Sequence, residues 1–169
     1  KPLAMTEKEC AQMISAANKN KVKLMTAYRL HFEEGNPHVI ELARRGKLGD
    51  VRAFNSTNTM SVETGNIRLD KGLSGGTLYD IGIYCINAAR GIFREEPVEV
   101  FAVASRNGQK RFKEVEEMMN VIMTFSKDRT ASFVCSFGAA DSSAYDVIGT
   151  KARVRMEDAY RHAGGVRLW

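Results

Sequence analysis

The sequence predicts an α+β fold in which a large mixed, mostly antiparallel β-sheet has helices packed on one face. Five β-rich segments follow one another after Pro97, with polar turns and no helical pattern between them. Strands joined by short turns pair antiparallel, and the helical stretches before Pro97 supply a layer that covers one sheet face. The 169 residues suffice for one domain with a hydrophobic core.

The composition limits the classes of protein to which the chain can belong. Its hydrophobic fraction of 44% and charged fraction of 27% are typical of a globular protein. No apolar run approaches the roughly 20 residues of a membrane helix, and the opening KPLAMTEKEC lacks the apolar core of a signal peptide. The net charge of +5 is spread among acids, without the basic stripe of a nucleic-acid-binding surface. We expect no membrane or nucleic-acid partner and a cytoplasmic location, with periplasmic export of a longer parent as the alternative.

The first element is a helix over about residues 7–19. Thr6 and Glu9 have the spacing of a capping box, in which each residue satisfies a free backbone amide of the other. The short segment at about 22–28, KVKLMTAY, reads as a strand. The buried face of the helix would consist of Cys10, Met13, Ile14 and Ala17.

A second helix is predicted from His38 to Arg45. Pro37 suits its first position, and Gly46 suits its end. The β-rich stretch VRAFNSTNTMSV then begins at Val51 and leads into a polar loop. After that loop, apolar residues at helical spacing predict a third helix over about 76–93.

The strands after Pro97 read VEVFAVASR, MMNVIMTFS, TASFVCSFG, AYDVIGT and ARVRME. Lys127-Asp128-Arg129 forms a hairpin turn, and Gly149-Thr150-Lys151 separates the last two strands. The segment MMNVIMTF is apolar on both alternating faces, which indicates cover on both sides. A second subunit is the simplest cover, so we expect a homodimer or homotetramer through the open sheet face. A loop of the same chain is the alternative.

The cysteines Cys10, Cys85 and Cys135 are far apart and form no CxxC pair, so we expect no metal site. Each lies in an apolar context, where a free cysteine behaves as a small core residue. This usage fits a reducing compartment.

The third helix has polar groups in a line. Asp80, Tyr84 and Asn87 are spaced four and then three residues apart, which puts them on one helix face. The pattern alone leaves two interpretations open. The residues form a site, or Tyr84 is a boundary aromatic, Asp80 an acid favoured by the helix dipole and Asn87 a structural amide.

Several short motifs follow one another along the chain in an order that is typical of a known protein family. Lys1-Pro2, AYR, RLD, GG-x-L-x-DIG-x-Y-x-IN and EEPVEV follow one another. This series resembles the glucose–fructose oxidoreductase and inositol dehydrogenase family, most closely its glucose–fructose oxidoreductase and sugar dehydrogenase branch. The resemblance implies a dihydrodipicolinate-reductase-like C-terminal domain over residues 1–160 that binds substrate and oligomerises. Residues 1–28 would be the remnant of the junction to an absent N-terminal Rossmann domain, and residues 161–169 stay unassigned.

The same resemblance implies an NAD(P)-dependent oxidoreductase that acts on a sugar or polyol. NAD or NADP would be bound by the full-length parent, because this sequence has no GxGxxG dinucleotide-binding motif. We expect the 169-residue chain alone to hold no cofactor and to be inactive. A non-catalytic binding or oligomerisation module on the same fold is the alternative.

The resemblance assigns catalytic roles to Lys1, Asp80 and Tyr84. Oxidation of an alcohol requires a group that takes the hydroxyl proton as the hydride leaves, and Tyr84 would be that group. Lys1 would lie beside the nicotinamide, contacting it together with Pro2, and its ammonium would favour the phenolate. Asp80 would orient the substrate.

Four further residues are candidates for substrate binding, and no metal ligand is expected. Tyr28 and Arg29 follow the predicted strand at 22–28, where side chains reach a cleft. Arg68 lies on the loop before the third helix, and Asn87 extends the polar line on that helix. Ile67 stands where the family often has an aromatic residue, so a sugar-stacking contact is in doubt there.

Overall fold

The structure is a computed structural model that describes residues 1–161 and 167–168. Its centre is a seven-stranded mixed sheet with the order β2-β3-β4-β1-β5-β6-β7. Strands β1 and β4 run parallel, and the other neighbouring pairs are antiparallel. The predicted fold class is therefore confirmed. The strands are β1 (Val51–Ser61), β2 (Glu99–Ser105), β3 (Met118–Phe125), β4 (Arg129–Ser136), β5 (Gly138–Gly149), β6 (Arg153–Glu157) and β7 (Arg167–Leu168).

The helices are α1 (Glu7–Lys19), α2 (Gly35–Arg44) and α3 (Ile83–Phe93), and a π-turn at Leu78–Gly82 leads directly into α3. The capping box of α1 is confirmed, because Thr6 Oγ1 accepts from Glu9 N at 3.2 Å and the Glu9 carboxylate accepts from Thr6 N at 3.0 Å. None of the described helices has the length and apolar character that crossing a bilayer would require.

The hydrophobic core lies between the inner face of the sheet and the helices α2 and α3. Phe54, Val147, Cys85 and Met156 are completely buried in it, and Phe133 is nearly so. Burial of each large apolar side chain contributes about 1.5–3 kcal/mol to the free energy of unfolding. Two of the cysteines, Cys85 and Cys135, are buried free thiols as predicted, whereas Cys10 is only half-buried.

Both predicted turns between the later strands are present. Lys127 and Asp128 adopt positive φ in the tight connection between β3 and β4, and residues 150–152 connect β5 to β6. Strand β7 pairs with β6 within the stretch that the sequence left unassigned. Residues 162–166 and 169 of that stretch lie outside the described residues.

The helix predicted over about residues 7–19 is confirmed, but the strand predicted at 22–28 and most of the buried face predicted for the helix are wrong. Residues 22–28 form no strand, because no described strand lies beside them to accept their backbone hydrogen bonds. In α1 only Ala17 is buried, and Met13 and Ile14 are 39% and 49% exposed. The apolar face of α1 is therefore largely exposed.

The outer face of the sheet carries exposed apolar side chains on its β2 side. Phe101 and Val103 of β2 are 65% and 48% exposed, and Ile122 of β3 is 47% exposed. These residues border a shallow depression of about 420 Å³, which lies away from the catalytic candidates. Homo-oligomerisation across this face stays a prediction.

Candidate active site

The candidate site is built around the start of the third helical segment. The sequence predicts an α-helix from residue 76, but the segment begins as a π-turn in which Ile83 N donates to Leu78 O, five residues earlier. Such turns recur at functional sites. Gly76 precedes the turn with φ +122°, and a Cβ there would lie 3.0 Å from Glu116 Oε1, so both its backbone conformation and its surroundings favour glycine.

Asp80, inside the π-turn, joins the two basic residues of the site. Its Oδ1 accepts from Lys1 Nζ at 3.0 Å, and its Oδ2 accepts from Arg68 Nε at 2.6 Å. Lys1 Nζ also donates to the Asp80 backbone carbonyl. Burial is the largest single effect on the pKa of Asp80 and acts to raise it, but the hydrogen bonds and charges of Arg68 and Lys1 together outweigh burial and lower that pKa. Asp80 is therefore a carboxylate in which each oxygen already accepts a hydrogen bond from a basic side chain.

Tyr84, the predicted proton relay, lies directly beneath the Lys1 ammonium. Lys1 Nζ is 4.5 Å from the centroid of the Tyr84 ring, a cation–π arrangement. The Tyr84 side chain is only 7% exposed, and its ring lies 5.9 Å from that of Tyr160. Tyr84 is thus held in place by packing.

A cavity of about 220 Å³ adjoins this group. Lys1, Arg68, Asp80 and Tyr84 all line it, so the structure brings these four predicted residues together. The rest of its polar lining was not predicted, although the run Asp141-Ser142-Ser143 before an apolar segment is a signal for part of it. The missed polar residues are Asn58, Thr59, Asp141, Ser142, Ser143, Tyr160 and Arg161.

A second groove, of about 360 Å³, lies on the other side of the charged group. Lys1, Arg68 and Asp80 line both spaces and therefore stand between them. Pro2 lines only this second groove, together with the exposed apolar residues Ile67 and Leu73.

Arg29 lies outside both spaces. Its Nη2 donates to the backbone carbonyls of Tyr160, at 3.4 Å, and Arg161, and its Nη1 forms an ion pair with Glu33 at 3.1 Å. The guanidinium therefore fastens the segment that carries Tyr160 and Arg161 into the cavity wall. A direct contact between Arg29 and a substrate stays a prediction.

Tyr28 and Asn87 are also absent from the cavity lining. The Tyr28 ring packs edge-on against His31 at 6.0 Å, and burial raises its pKa, partly offset by the charge of Arg90. Asn87 lines a separate, very small cavity of about 10 Å³ beside Leu30 and Tyr145. Their assignments as substrate ligands stay predictions.

The described residues offer no cluster of three or more histidine, cysteine, aspartate or glutamate side chains that could hold a metal ion. Two cations, a carboxylate that neutralises one of them and a phenol converge on a space lined by hydroxyl and amide groups.

The chain is similar to proteins named as oxidoreductases and dehydrogenases. The chain is 32% identical over 159 residues to trans-1,2-dihydrobenzene-1,2-diol dehydrogenase of Danio rerio, a match that covers 92% of this chain and 46% of that protein. It is 28% identical to D-xylose 1-dehydrogenase [NADP(+)] of Haloarcula marismortui, over 95% of this chain and 46% of that protein. The chain thus spans about half the length of the curated relatives it matches.

A solved structure agrees with these matches. Aldose-aldose oxidoreductase from Caulobacter crescentus, complexed with glycerol, superposes with a TM-score of 0.93 at 37% identity, over 100% of this chain and 51% of that one. The family described as GFO/IDH/MocA C-terminal domain matches residues 38–155, which include the π-turn, α3 and most of the sheet. The chain therefore belongs to the GFO/IDH/MocA C-terminal domain family.

Proposed function

We propose that this chain forms the substrate-binding half of an NAD(P)-dependent oxidoreductase that transfers hydride between a nicotinamide and a sugar or polyol. One observation carries the proposal: Asp80 holds the Lys1 ammonium over the Tyr84 ring at the edge of a polar cavity. Relatives named as dehydrogenases of D-xylose and of a cyclic diol support this substrate class.

Tyr84 is the acceptor of the hydroxyl proton in this proposal. A bound nicotinamide would accept the hydride, so the protein has only to orient the alcohol and receive its proton. Lys1 Nζ is 4.5 Å from the centroid of the Tyr84 ring, so its ammonium lies next to the group that takes the proton. The Lys1 ammonium has three protons, and its two contacts with Asp80 leave one for a substrate oxygen.

Asp80 acts as an anchor for the two cations. Because one carboxylate oxygen accepts from Lys1 and the other from Arg68, its strongest acceptor positions are already used. Asp80 therefore orients the substrate indirectly, by fixing Lys1 and Arg68 at the cavity wall. The free acceptors for sugar hydroxyls are then the other oxygens of the lining, among them those of Asp141 and Ser142.

The residues present fit one end of a nicotinamide cofactor. Lys1 and Pro2 would hold the nicotinamide, since they line the groove beside the charged group, and Lys1 also reaches the cavity. The phosphates of a dinucleotide call for a glycine-rich loop before a helix, and this sequence has no GxGxxG. The greater part of cofactor binding in this proposal belongs to a Rossmann domain outside the chain.

The assembly proposed for the protein is a homodimer or homotetramer. Exposed apolar residues of β2 and β3 on the outer sheet face support it. A second sheet laid over this face would remove them from water, at a gain of about 25 cal/mol for each Å² of apolar surface.

The function is tested by steady-state kinetics on the full-length protein that carries this chain, with NAD⁺ and NADP⁺ and a panel of aldoses, inositols and cyclic diols. Tyr84→Phe is expected to lower kcat by about 10²–10⁴-fold, the usual contribution of a general base. Tyr145→Phe is the matched control, because its hydroxyl donates to Asn36 Oδ1 in the core, away from the cavity. Turnover by Tyr84→Phe at the wild-type rate would refute the assignment.

A further inference from the structure

Glu116 contacts the beginning of the helical segment that carries Asp80 and Tyr84. Its Oε1 accepts from Thr77 Oγ1 at 2.8 Å and from Leu78 N at 3.2 Å. The first amides of a helix have no partner within the helix, so a side-chain acceptor has to satisfy them. Thr77 does not do so, because its backbone is already helical and its hydroxyl is turned towards Glu116.

The environment of Glu116 leaves this arrangement little freedom. Thr77 is completely buried, and the Glu116 carboxylate lies so close to Gly76 that a Cβ there would stand 3.0 Å from Oε1. Glu116 comes two residues before β3, so its hydrogen bonds fasten the helix start to the sheet. A negative charge at this end also suits the helix dipole.

The same turn positions the charged group of the site. Asp80 lies two residues after Leu78 in the π-turn, and its backbone amide donates to Gly76 O at 3.3 Å. Lys1 is bound to Asp80 through both the carboxylate and the backbone carbonyl. A shift of the turn would therefore move Asp80 and Lys1 together, relative to Tyr84 and the cavity.

We propose that Glu116 is a positioning residue for the reaction, which fixes the π-turn to the sheet and thereby holds Lys1 over Tyr84. The inference rests on the proposed oxidoreductase function. Misplacing a reacting group by about 1 Å costs on the order of 100-fold in rate, so loss of this cap should be visible in kcat.

Glu117 provides a matched control. It is the next residue in the chain, and it is only 6% exposed. Its carboxylate accepts from Asn107 N at 2.7 Å and from Asn107 Nδ2 at 3.0 Å, so it fastens a loop and not the catalytic helix. Removing either carboxylate costs buried hydrogen bonds, but only Glu116 acts on the turn that carries Asp80.

The test compares Glu116→Ala, Glu116→Gln and Glu117→Ala in the full-length protein, well below each variant's melting temperature. Glu116→Ala is expected to lower kcat by about 10–100-fold, with a smaller change in KM. Glu116→Gln keeps an oxygen that accepts both hydrogen bonds and should restore most of kcat. Glu117→Ala should lower the melting temperature but leave kcat within about twofold, as expected for a site outside the reaction.

Amide hydrogen exchange at Leu78 provides a readout that does not require turnover. Exchange at Leu78 should accelerate in Glu116→Ala and stay slow in Glu116→Gln and Glu117→Ala. If Glu116→Ala does not fold, Thr77→Val removes one donor while keeping the side-chain shape, and a smaller loss of kcat is expected.

Two negative results are distinguishable. Wild-type kcat in Glu116→Ala, or equal losses in Glu116→Ala and Glu117→Ala, would overturn the role of Glu116 while leaving the proposed function intact. A wild-type protein without dehydrogenase activity would remove the proposed function, and with it any role for Glu116 in the reaction.

Discussion

The ammonium nitrogen of Lys1 lies over the ring of Tyr84, 4.5 Å from the ring centroid. The two residues are 83 positions apart in the sequence. Asp80 holds Lys1 in this place by accepting two hydrogen bonds from its ammonium. A charge placed over an aromatic face is stabilised by the ring and also acts on the phenol oxygen of that ring. In the proposed function, this pair receives the proton of the substrate hydroxyl.

The first prediction concerns the charge of Lys1. Lys1→Met in the full-length protein keeps a long apolar stem but removes the ammonium, so we expect kcat to fall by about 10²–10⁴-fold. Steady-state kinetics would measure the change. Lys23→Met, an exposed lysine outside the cavity lining, is the control and should behave as wild type. Wild-type turnover by Lys1→Met would show that the charge is not required.

The second prediction concerns the stability contributed by Asp80. In Asp80→Asn the cations Lys1 and Arg68 lose their charged partner, and the free energy of unfolding at pH 7 should fall by about 1–3 kcal/mol. The folded-state pKa of Asp80 lies below its usual 3.8, so its ionised form stabilises the fold above about pH 4. That contribution is lost as the pH falls through the lowered pKa.

Urea unfolding of the wild type and Asp80→Asn at pH 7 and pH 3 measures this effect. The difference between the two proteins should be smaller at pH 3. Asp50→Asn, at an exposed position, is the control and should change stability by less than about 0.5 kcal/mol at either pH. An equal difference at both pH values would contradict the ion-pair explanation.

The third prediction concerns Arg29. Arg29→Ala removes the donor to the backbone carbonyls of Tyr160 and Arg161, which belong to the cavity wall. We expect KM for the sugar to rise several-fold with a smaller change in kcat, and stability to fall by about 1–2 kcal/mol. Steady-state kinetics and urea unfolding give the two values. Arg44→Ala, at a surface pair with Glu41, is the control.

Local sequence signals predicted the elements that depend on local chemistry. The capping box at Thr6, the hairpin turn at Lys127 and the β-rich composition of the strands all specify structure within a few residues. Asp80 and Tyr84 were found because they share one helix with a recognisable motif. The outline of the sheet and four of the residues that line the cavity were therefore predictable.

The remaining features depend on contacts between distant parts of the chain. Lys1 meets Asp80 across 79 positions, and Glu116 reaches Leu78 across 38. No local pattern encodes which carboxylate caps which helix, so Glu116 went unnoticed. The strand predicted at 22–28 is the reverse case. Its sequence suits a strand, but no described strand lies beside it.

The fourth prediction concerns the open sheet face. A double substitution, Val103→Lys with Ile122→Lys, puts two charges among the exposed apolar residues of β2 and β3. Burying an unpaired charge is costly, so assembly through this face should be lost. Size-exclusion chromatography with light scattering should show an oligomer for the wild type and a monomer for the variant. Thr64→Lys, away from this face, should leave the oligomer intact.

The fifth prediction concerns the cofactor and the domain that binds it. Lys1 and Pro2 contact only the nicotinamide end in the proposed arrangement, and this sequence has no GxGxxG for the phosphates. The 169-residue chain alone should therefore show no micromolar binding of NADPH by isothermal titration calorimetry and no dehydrogenase activity. Micromolar affinity would refute the proposal that a second domain supplies most of the cofactor site.

Hydrogen exchange on the 169-residue chain and on the full-length protein tests where that second domain lies. Helix α1 has only Ala17 buried, and a 13-residue helix without packing is marginally stable in water. Its amides should exchange quickly in the 169-residue chain and slowly in the full-length protein, because a neighbouring domain would cover Met13 and Ile14. The amides of α3, packed in the core in both proteins, serve as the internal control. Equal exchange of α1 in the two proteins would place the cofactor domain elsewhere on the surface.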